Sequence, residues 1–195
     1  MDRQISVFLL FILFTSGHSL KCNLCLEGSC RQETCDSGQT SCLSETYFHK
    51  STFSLYNTSV KRCAPAGDCV SGFINLGSIK ISSSCCNTDL CNDKDAPDPS
   101  NVPNGKQCYH CDGHNCSSIL RCSGSEDRCF TATGDLGGML LLAKGCVSKS
   151  ACNATKLFSL LRISCCEGNL CNGAQSITQS FLFLCCSLLS FILLH

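Results

Sequence analysis

Two copies of one cysteine pattern decide the fold of this chain: Cys85-Cys86-Asn87-Thr88-Asp89-Leu90-Cys91-Asn92 and, eighty positions later, Cys165-Cys166-Glu167-Gly168-Asn169-Leu170-Cys171-Asn172. Each copy has two adjacent cysteines, a third cysteine five positions after the second, and a final asparagine. Adjacent cysteines do not easily pair with each other, so one sulfur is expected to reach back into the preceding chain while the other closes a short loop forward. We name this pattern the closing motif. Its two copies predict two domains, each ending at one motif.

Cysteine is abundant along the chain, with 22 in 195 residues, and such density in a short secreted chain is typical of a disulfide scaffold. Tryptophan is absent and aromatic residues make up only 7% of the chain, so neither half is expected to bury a large core. Domains of this size usually need covalent cross-links in addition to burial. The formal net charge is zero and the basic residues form no stripe, which argues against a nucleic acid partner.

Residues 1–19 are predicted to be a secretory signal peptide. Arg3 precedes the apolar run Ile5–Phe14, and the small residues Gly17 and Ser19 then fit a cleavage site after Ser19. The alternative, a membrane anchor, would need an apolar run long enough to cross about 30 Å of hydrocarbon, and this run is too short. Secretion would place the rest of the chain in an oxidising compartment, where its cysteines can pair.

Residues 173–195 are predicted to be a glycosylphosphatidylinositol (GPI) attachment signal that is removed. Small residues are followed by the polar spacer Gln175–Ser180 and the uncharged apolar tail Phe181–His195, which is the order of such a signal. A spanning helix would instead need about 20 apolar residues and a basic cytoplasmic flank. The predicted attachment residue is Asn172, Gly173 or Ala174, and Asn172 is also a candidate for a role inside the fold.

The cysteines divide into two sets of ten with nearly constant offsets, which defines domain 1 as residues 20–92 and domain 2 as residues 106–172. The remaining two, Cys185 and Cys186, lie in the tail that would be removed. Between the domains, residues 93–105 contain three of the four prolines of the chain and are predicted to be a semi-rigid linker.

Short stretches of alternating or β-branched residues predict strands in both halves, and no long amphipathic helix is predicted. The run from Gly134 to Gly138 predicts a turn between two of these strands. The predicted strands are Lys21–Cys25, Thr40–Phe48, Ser59–Ala64, Ile79–Cys86, Gln107–Cys111, Arg128–Thr133, Met139–Cys146 and Leu160–Cys166.

Ten cysteines that begin with a CxxC strand and end in CCxxxxCN resemble the lymphocyte-antigen-6/urokinase-receptor family, and the resemblance covers both halves. It implies an all-β, small disulfide-rich fold of two tandem three-finger (snake-toxin-like) domains, in which a palm of disulfides carries three β-hairpin fingers. Spacing alone leaves the disulfide connectivity open. The resemblance implies that Asn92 and Asn172 tie the palm backbone together. It also implies the disulfides Cys22–Cys42, Cys25–Cys30, Cys35–Cys63, Cys69–Cys85, Cys86–Cys91, Cys108–Cys129, Cys111–Cys116, Cys122–Cys146, Cys152–Cys165 and Cys166–Cys171.

The resemblance implies a binding protein on the extracellular face of the plasma membrane, held in the outer leaflet by GPI and acting as a receptor, co-receptor or adhesion module for another extracellular protein. It also allows a shed or secreted form. Gamma-type secreted phospholipase inhibitors are similar in cysteine order, so the alternative function is a soluble inhibitor of a phospholipase or a similar extracellular enzyme. The apolar tail favours the anchored form, because a soluble inhibitor needs none.

Other chemistry has weaker support in the sequence. The pairs Cys22 with Cys25 and Cys108 with Cys111 have zinc or redox spacing, but those roles need reduced thiols. His110 and His114 have the spacing of two ligands on one helix face, but Asp112-Gly113 between them favours a turn. No set of catalytic residues stands out, and the prediction is a protein without catalytic residues, metal or cofactor.

Two further groups of residues are candidate sites. Asn57 and Asn153 begin N-glycosylation sequons, and Asn115 begins a third whose middle residue is the cysteine of an implied disulfide. Two apolar runs form a candidate partner surface. A continuous apolar run in a strand places apolar side chains on both faces, but a thin domain covers only one face, so the rest would be exposed. The residues of this surface are Met139, Leu140, Leu141, Leu142, Leu157, Phe158 and Leu160. The alternative is that domain 1 packs over these residues.

Overall fold

The computed structural model describes residues 19–26, 28–50, 55–112, 115–153 and 162–173. The predicted signal sequence up to residue 18 and the predicted attachment tail from Ala174 lie outside the described residues. Among the residues that are described, no helix has the length and apolar character needed to span a bilayer.

Domain 1 consists of six antiparallel strands, which pair in chain order as three hairpins. β1 and β2 form finger I, β3 and β4 form finger II, and β5 and β6 form finger III. The bounds are β1 Lys21–Leu26, β2 Ser29–Thr34, β3 Ser41–Lys50, β4 Leu55–Ala64, β5 Gly72–Asn75 and β6 Ile79–Cys86.

Domain 2 repeats this plan with five described strands. β7 and β8 pair as a separate two-stranded sheet, while β9 pairs with both β10 and β11. One-turn 3-10 helices follow β4 and β10, at residues 66–68 and 151–153. The bounds are β7 Pro103–His110, β8 Ser118–Ser123, β9 Arg128–Leu136, β10 Met139–Val147 and β11 Arg162–Cys166.

The two domains share one nine-stranded sheet, because β5 of domain 1 pairs with β10 of domain 2. Ile74 lies opposite Val147, and Asn75 lies opposite Cys146. Gly145 permits this close approach, since a Cβ at that position would lie only 2.0 Å from the carbonyl oxygen of Asn75. The shared apolar core lies on one face of the sheet and takes residues from both domains: Ile74, Ile81, Phe130, Ala132, Val147 and Ala151.

Sulfur fills the palm of each domain. Four buried cysteines form one cluster in domain 1, and four form the equivalent cluster in domain 2. The ten disulfides of the described chain join the same pairs that the family resemblance implies, and each lies within one domain. The structure thus relies on cross-linked sulfur where a larger domain would use aliphatic side chains.

The closing motifs have the same geometry in both domains. Leu90 and Leu170 adopt positive φ angles of 55° and 57°, which non-glycine residues seldom do. Each conformation is held by a backbone hydrogen bond, in which the Leu90 amide donates to the Lys21 carbonyl and the Leu170 amide donates to the Gln107 carbonyl. The motif therefore fastens the end of each domain to its own first strand.

Most of the linker is attached to domain 1 by hydrogen bonds, whereas a free spacer would not contact the domain. Ser44 Oγ donates to the Lys94 carbonyl at 3.1 Å, and Ser82 Oγ donates to the Pro97 carbonyl at 2.6 Å. Ala96 is buried between these points. Residues 93–101 therefore form a strap across the polar face of the domain 1 sheet, and β7 begins at Pro103, before its predicted start.

Candidate binding surface

The hairpin of β9 and β10 carries the apolar run that the sequence singled out. Leu141 and Ala143 pack against the shared core, which includes Ile74 and Ile81 of domain 1. Successive side chains of a strand point to opposite faces, so Leu140 and Leu142 lie on the other face. The shared core therefore partly covers one side of β10, and the other side is exposed only near the turn, since Lys144 and Cys146 on it are buried.

The end of β10 beside the turn is strongly exposed. Leu140 is 77% exposed, Met139 is 66% exposed and Leu142 is 44% exposed. The turn beside them is held in place, because the Gly138 amide donates to a carboxylate oxygen of Asp135 at 2.8 Å. The arrangement presents three large apolar side chains at the end of a rigid hairpin, which is typical of a surface that contacts a protein.

The structure separates the residues of the predicted partner surface into three groups. Met139, Leu140 and Leu142 are exposed, with Leu140 and Leu142 on one face of β10 and Met139 on the other, and Leu141 is partly buried and packs against the shared core. The prediction for Leu157, Phe158 and Leu160 falls outside the described residues.

Sequence reasoning missed a second exposed feature, on finger II of domain 1. The rings of His49 and Tyr56 stack with centroids 4.7 Å apart, and Tyr56 is an exposed residue. The two residues are direct cross-strand partners, so their shared face follows from the register of β3 and β4. Only the hairpin pairing, which the sequence does not state, brings the two rings together.

A partly buried polar group lies further down the same finger. Tyr47 donates a hydrogen bond of 3.3 Å to Glu45, and Arg62 approaches the same carboxylate at 4.0 Å. Burial raises the pKa of Glu45, although Arg62 and the Tyr47 hydroxyl favour its charged form. Burial and the neighbouring Glu45 charge raise the pKa of Tyr47 to about 12. Tyr47 therefore keeps its proton at neutral pH and can donate to Glu45.

The residues with metal or redox spacing have other roles in the structure. All four CxxC cysteines are disulfide-bonded, and a disulfide sulfur lacks the thiolate that zinc binding and thiol exchange require. The sulfurs of Cys22, Cys35 and Cys63 lie within 4.8 Å of one another because two disulfides pack together. His110 faces the turn at Gly77, and His114 is outside the described residues.

The structure describes the asparagine side chains of two of the three predicted sequons. Asn57 on β4 is exposed, and so is Asn115 in the loop before β8. The side-chain oxygen of Asn115 accepts a hydrogen bond of 2.9 Å from the Ser117 amide. The side chain of Asn153 is outside the described part of the chain.

The fold and its ten disulfides define a three-finger binding scaffold with two domains. The sequence profile of the u-PAR/Ly-6 domain matches residues 18–94, and the profile of snake toxins and toxin-like proteins matches residues 106–172. The chain belongs to the u-PAR/Ly-6 family of three-finger proteins. These matches confirm the family resemblance and the predicted fold class.

Individual relatives match parts of the chain. The urokinase plasminogen activator surface receptor of Bos taurus is 37% identical over 45% of this chain and 31% of the receptor. Sperm acrosome membrane-associated protein 4 of Bos taurus is 32% identical over 38% of this chain and 67% of that protein. The crystal structure of mouse TEX101 matches with a TM-score of 0.30 and 18% identity, covering 72% of this chain and 87% of that one. The chain spans about a third of the length of the urokinase receptors that it matches.

Proposed function

We propose that this protein is a GPI-anchored cell-surface binding protein that recognises another extracellular protein through finger II of domain 2. The observation that carries the proposal is the exposed apolar end of the β9–β10 hairpin, where Leu140 and Leu142 share one face of β10 and Met139 is exposed beside the turn. The name of the matched surface receptors supports a role at the cell surface. The absence of a catalytic set in the sequence supports a function that depends on contact alone.

Anchoring is proposed to follow cleavage just after the closing motif of domain 2. Asn172 is buried and held in the fold by three side-chain hydrogen bonds, whereas Gly173 is only partly buried. This supports attachment at Gly173 or Ala174 rather than at Asn172. We also propose N-glycosylation at Asn57, Asn153 and Asn115, which fits an extracellular location.

The anchor is tested by treating expressing cells with phosphatidylinositol-specific phospholipase C. We expect the enzyme to release the protein from the cell surface into the medium. Protein found only in the medium of untreated cells, with none released by the enzyme, would contradict anchoring and favour the soluble inhibitor.

The binding surface is tested by Leu140→Asp and Leu142→Asp. Partners are first captured by cross-linking to the purified ectodomain, and their affinity for each variant is then measured. A central apolar contact in a protein interface is worth about 2 kcal/mol or more, so each variant should weaken binding by more than about tenfold.

Val102→Asp is the matched control, because Val102 is also highly exposed, at 72%, but lies outside the hairpin. It should bind as the wild type does. If the leucine variants bind normally, the hairpin is not the contact surface, and if they abolish secretion, this face belongs to the core.

A further inference from the structure

Asn57 lines the same groove as Asp95 of the strap between the domains. Asn57, Ser59 and Lys61 alternate along β4 and therefore share one face of the domain 1 sheet. Lys61 holds the strap on that face, since its Nζ donates to the Asp93 carbonyl at 2.6 Å and pairs with Asp95 at 3.1 Å. Asn57, Ser59, Lys61 and Asp95 all line this groove between fingers I and II.

An aromatic ring lies directly across from the sequon on this face. Phe48 is the cross-strand partner of Asn57, and such partners have neighbouring Cβ atoms. Phe48 also lines a second groove together with Asp98 and Pro99 of the strap. A sugar on Asn57 would thus lie beside the Phe48 side chain, which suits its C–H groups, and beside polar groups of Lys61 and Asp95, which suit its hydroxyls.

We infer that the first N-acetylglucosamine of a glycan on Asn57 occupies this face and holds the strap against domain 1, which protects the link between the domains from proteolysis. The inference rests on the proposed glycosylation of Asn57. In that modification the Asn57 amide nitrogen loses a proton and bonds to C1 of the sugar, displacing the diphosphate of a lipid-linked oligosaccharide.

Tryptic cleavage at Lys94, which lies in the strap, measures how often the strap detaches from domain 1. Lys94 is exposed, but the carbonyl that trypsin must attack accepts the hydrogen bond from Ser44 Oγ. Cleavage therefore requires the strap to detach locally, and its rate follows the population of the detached state. A cut at Lys94 separates the two halves on a non-reducing gel, because each disulfide of the described chain closes within one half. Cuts inside a disulfide-closed loop leave the two halves joined, and a cut at Lys106, which also separates them, is distinguished from one at Lys94 by the mass of the fragments.

The experiment compares tryptic cleavage of the full secreted ectodomain from mammalian cells, with mass spectrometry assigning the cut and the occupancy of Asn57. Asn57→Gln removes the glycan, whereas Thr58→Ala keeps the sequon and is the matched control. We expect Asn57→Gln to separate into halves at least about tenfold faster than the wild type and Thr58→Ala. Asn153→Gln, at the other uninterrupted sequon, should leave the rate unchanged.

Trimming the glycan identifies which sugar acts. Protein made with high-mannose glycans is treated with endoglycosidase H, which leaves one N-acetylglucosamine on Asn57, and we expect the protection to persist. Protection lost on trimming would show that the outer sugars shield the strap and would overturn the seating of the first sugar. If the wild type carries a glycan on every Asn57 but is cleaved as fast as Asn57→Gln, the inference is wrong and the proposed glycosylation stands. If Asn57 of the wild type carries no glycan, both the inference and the proposed glycosylation of Asn57 are wrong.

Discussion

At the scale of single residues, Asn92 and Asn172 show why each closing motif ends in asparagine. The Asn172 oxygen accepts from the Tyr109 amide at 2.9 Å, and its Nδ2 donates to the carbonyls of Tyr109 and Phe130 at 2.9 and 2.8 Å. Asn92 makes the equivalent bonds with Asn23 and Leu43. A buried side chain here needs one acceptor and two donors, and the short amide of asparagine supplies both.

We predict that Asn172→Asp destabilises domain 2, because a carboxylate has no donor for the two carbonyl oxygens. Leaving buried polar groups unsatisfied costs about 1–3 kcal/mol each, so the free energy of unfolding should fall by about 2–5 kcal/mol. Denaturant unfolding of the purified ectodomain measures the change.

Asn169→Ala provides the control, since Asn169 is exposed and makes one hydrogen bond, with the Gln107 amide. Its effect should be well below that of Asn172→Asp. Equal stability of Asn172→Asp and the wild type would mean that the amide does not hold the palm together.

At the scale of strands, the sequence predicted the long core strands well and missed the short or polar ones. β6 has the predicted bounds, and β10 extends one residue further than predicted. β2 was missed because it is an edge strand with almost entirely exposed side chains, so it lacks an apolar alternation. β5 is only four residues long, and β7 begins with proline, which an edge strand tolerates at its first position.

The β9–β10 hairpin shows what alternation can and cannot reveal. The run from Met139 to Ala143 correctly indicated apolar side chains on both faces of a strand. It could not show which face is covered, because the core against which Leu141 and Ala143 pack includes Ile74 and Ile81 of the other domain. The candidate partner surface stays a prediction, and near the turn Leu140 and Leu142 are exposed while Leu141 packs against the shared core.

At the scale of the whole molecule, a buried polar group joins the domains beside the shared sheet. Glu126 of domain 2 is 2% exposed, and it accepts hydrogen bonds of 2.9 Å from Asn75 Nδ2 and from the Ser123 amide. Lys80 of domain 1 lies 3.6 Å from the same carboxylate and donates to Ser123 Oγ at 2.7 Å. No sequence motif predicted this group, because its members are single polar residues from different halves.

We predict that Glu126→Ala uncouples the domains, because it removes the acceptor shared by Asn75, Ser123 and Lys80. Hydrogen bonds to a charged group are worth about 1.5–3 kcal/mol each, so the contact between domains should weaken by several kcal/mol. Hydrogen exchange with mass spectrometry should show β5 and β10 losing protection together, while the palms stay protected.

The control for this variant is Glu33→Ala, because Glu33 pairs with Arg31 at 3.8 Å on the exposed finger I. Exposed pairs contribute little to stability, so its exchange pattern should match the wild type. Unchanged protection of β5 and β10 in Glu126→Ala would show that backbone pairing alone keeps the domains together.

The confinement of the disulfides to single domains has a consequence for biosynthesis. A chain is made from its amino terminus, so with the proposed secretion all ten cysteines of domain 1 would enter the lumen of the endoplasmic reticulum before Cys108. The first half can oxidise completely while the second is still on the ribosome. Each cysteine of one half then has nine possible partners instead of nineteen. Disulfide isomerases therefore have far fewer incorrect pairs to correct.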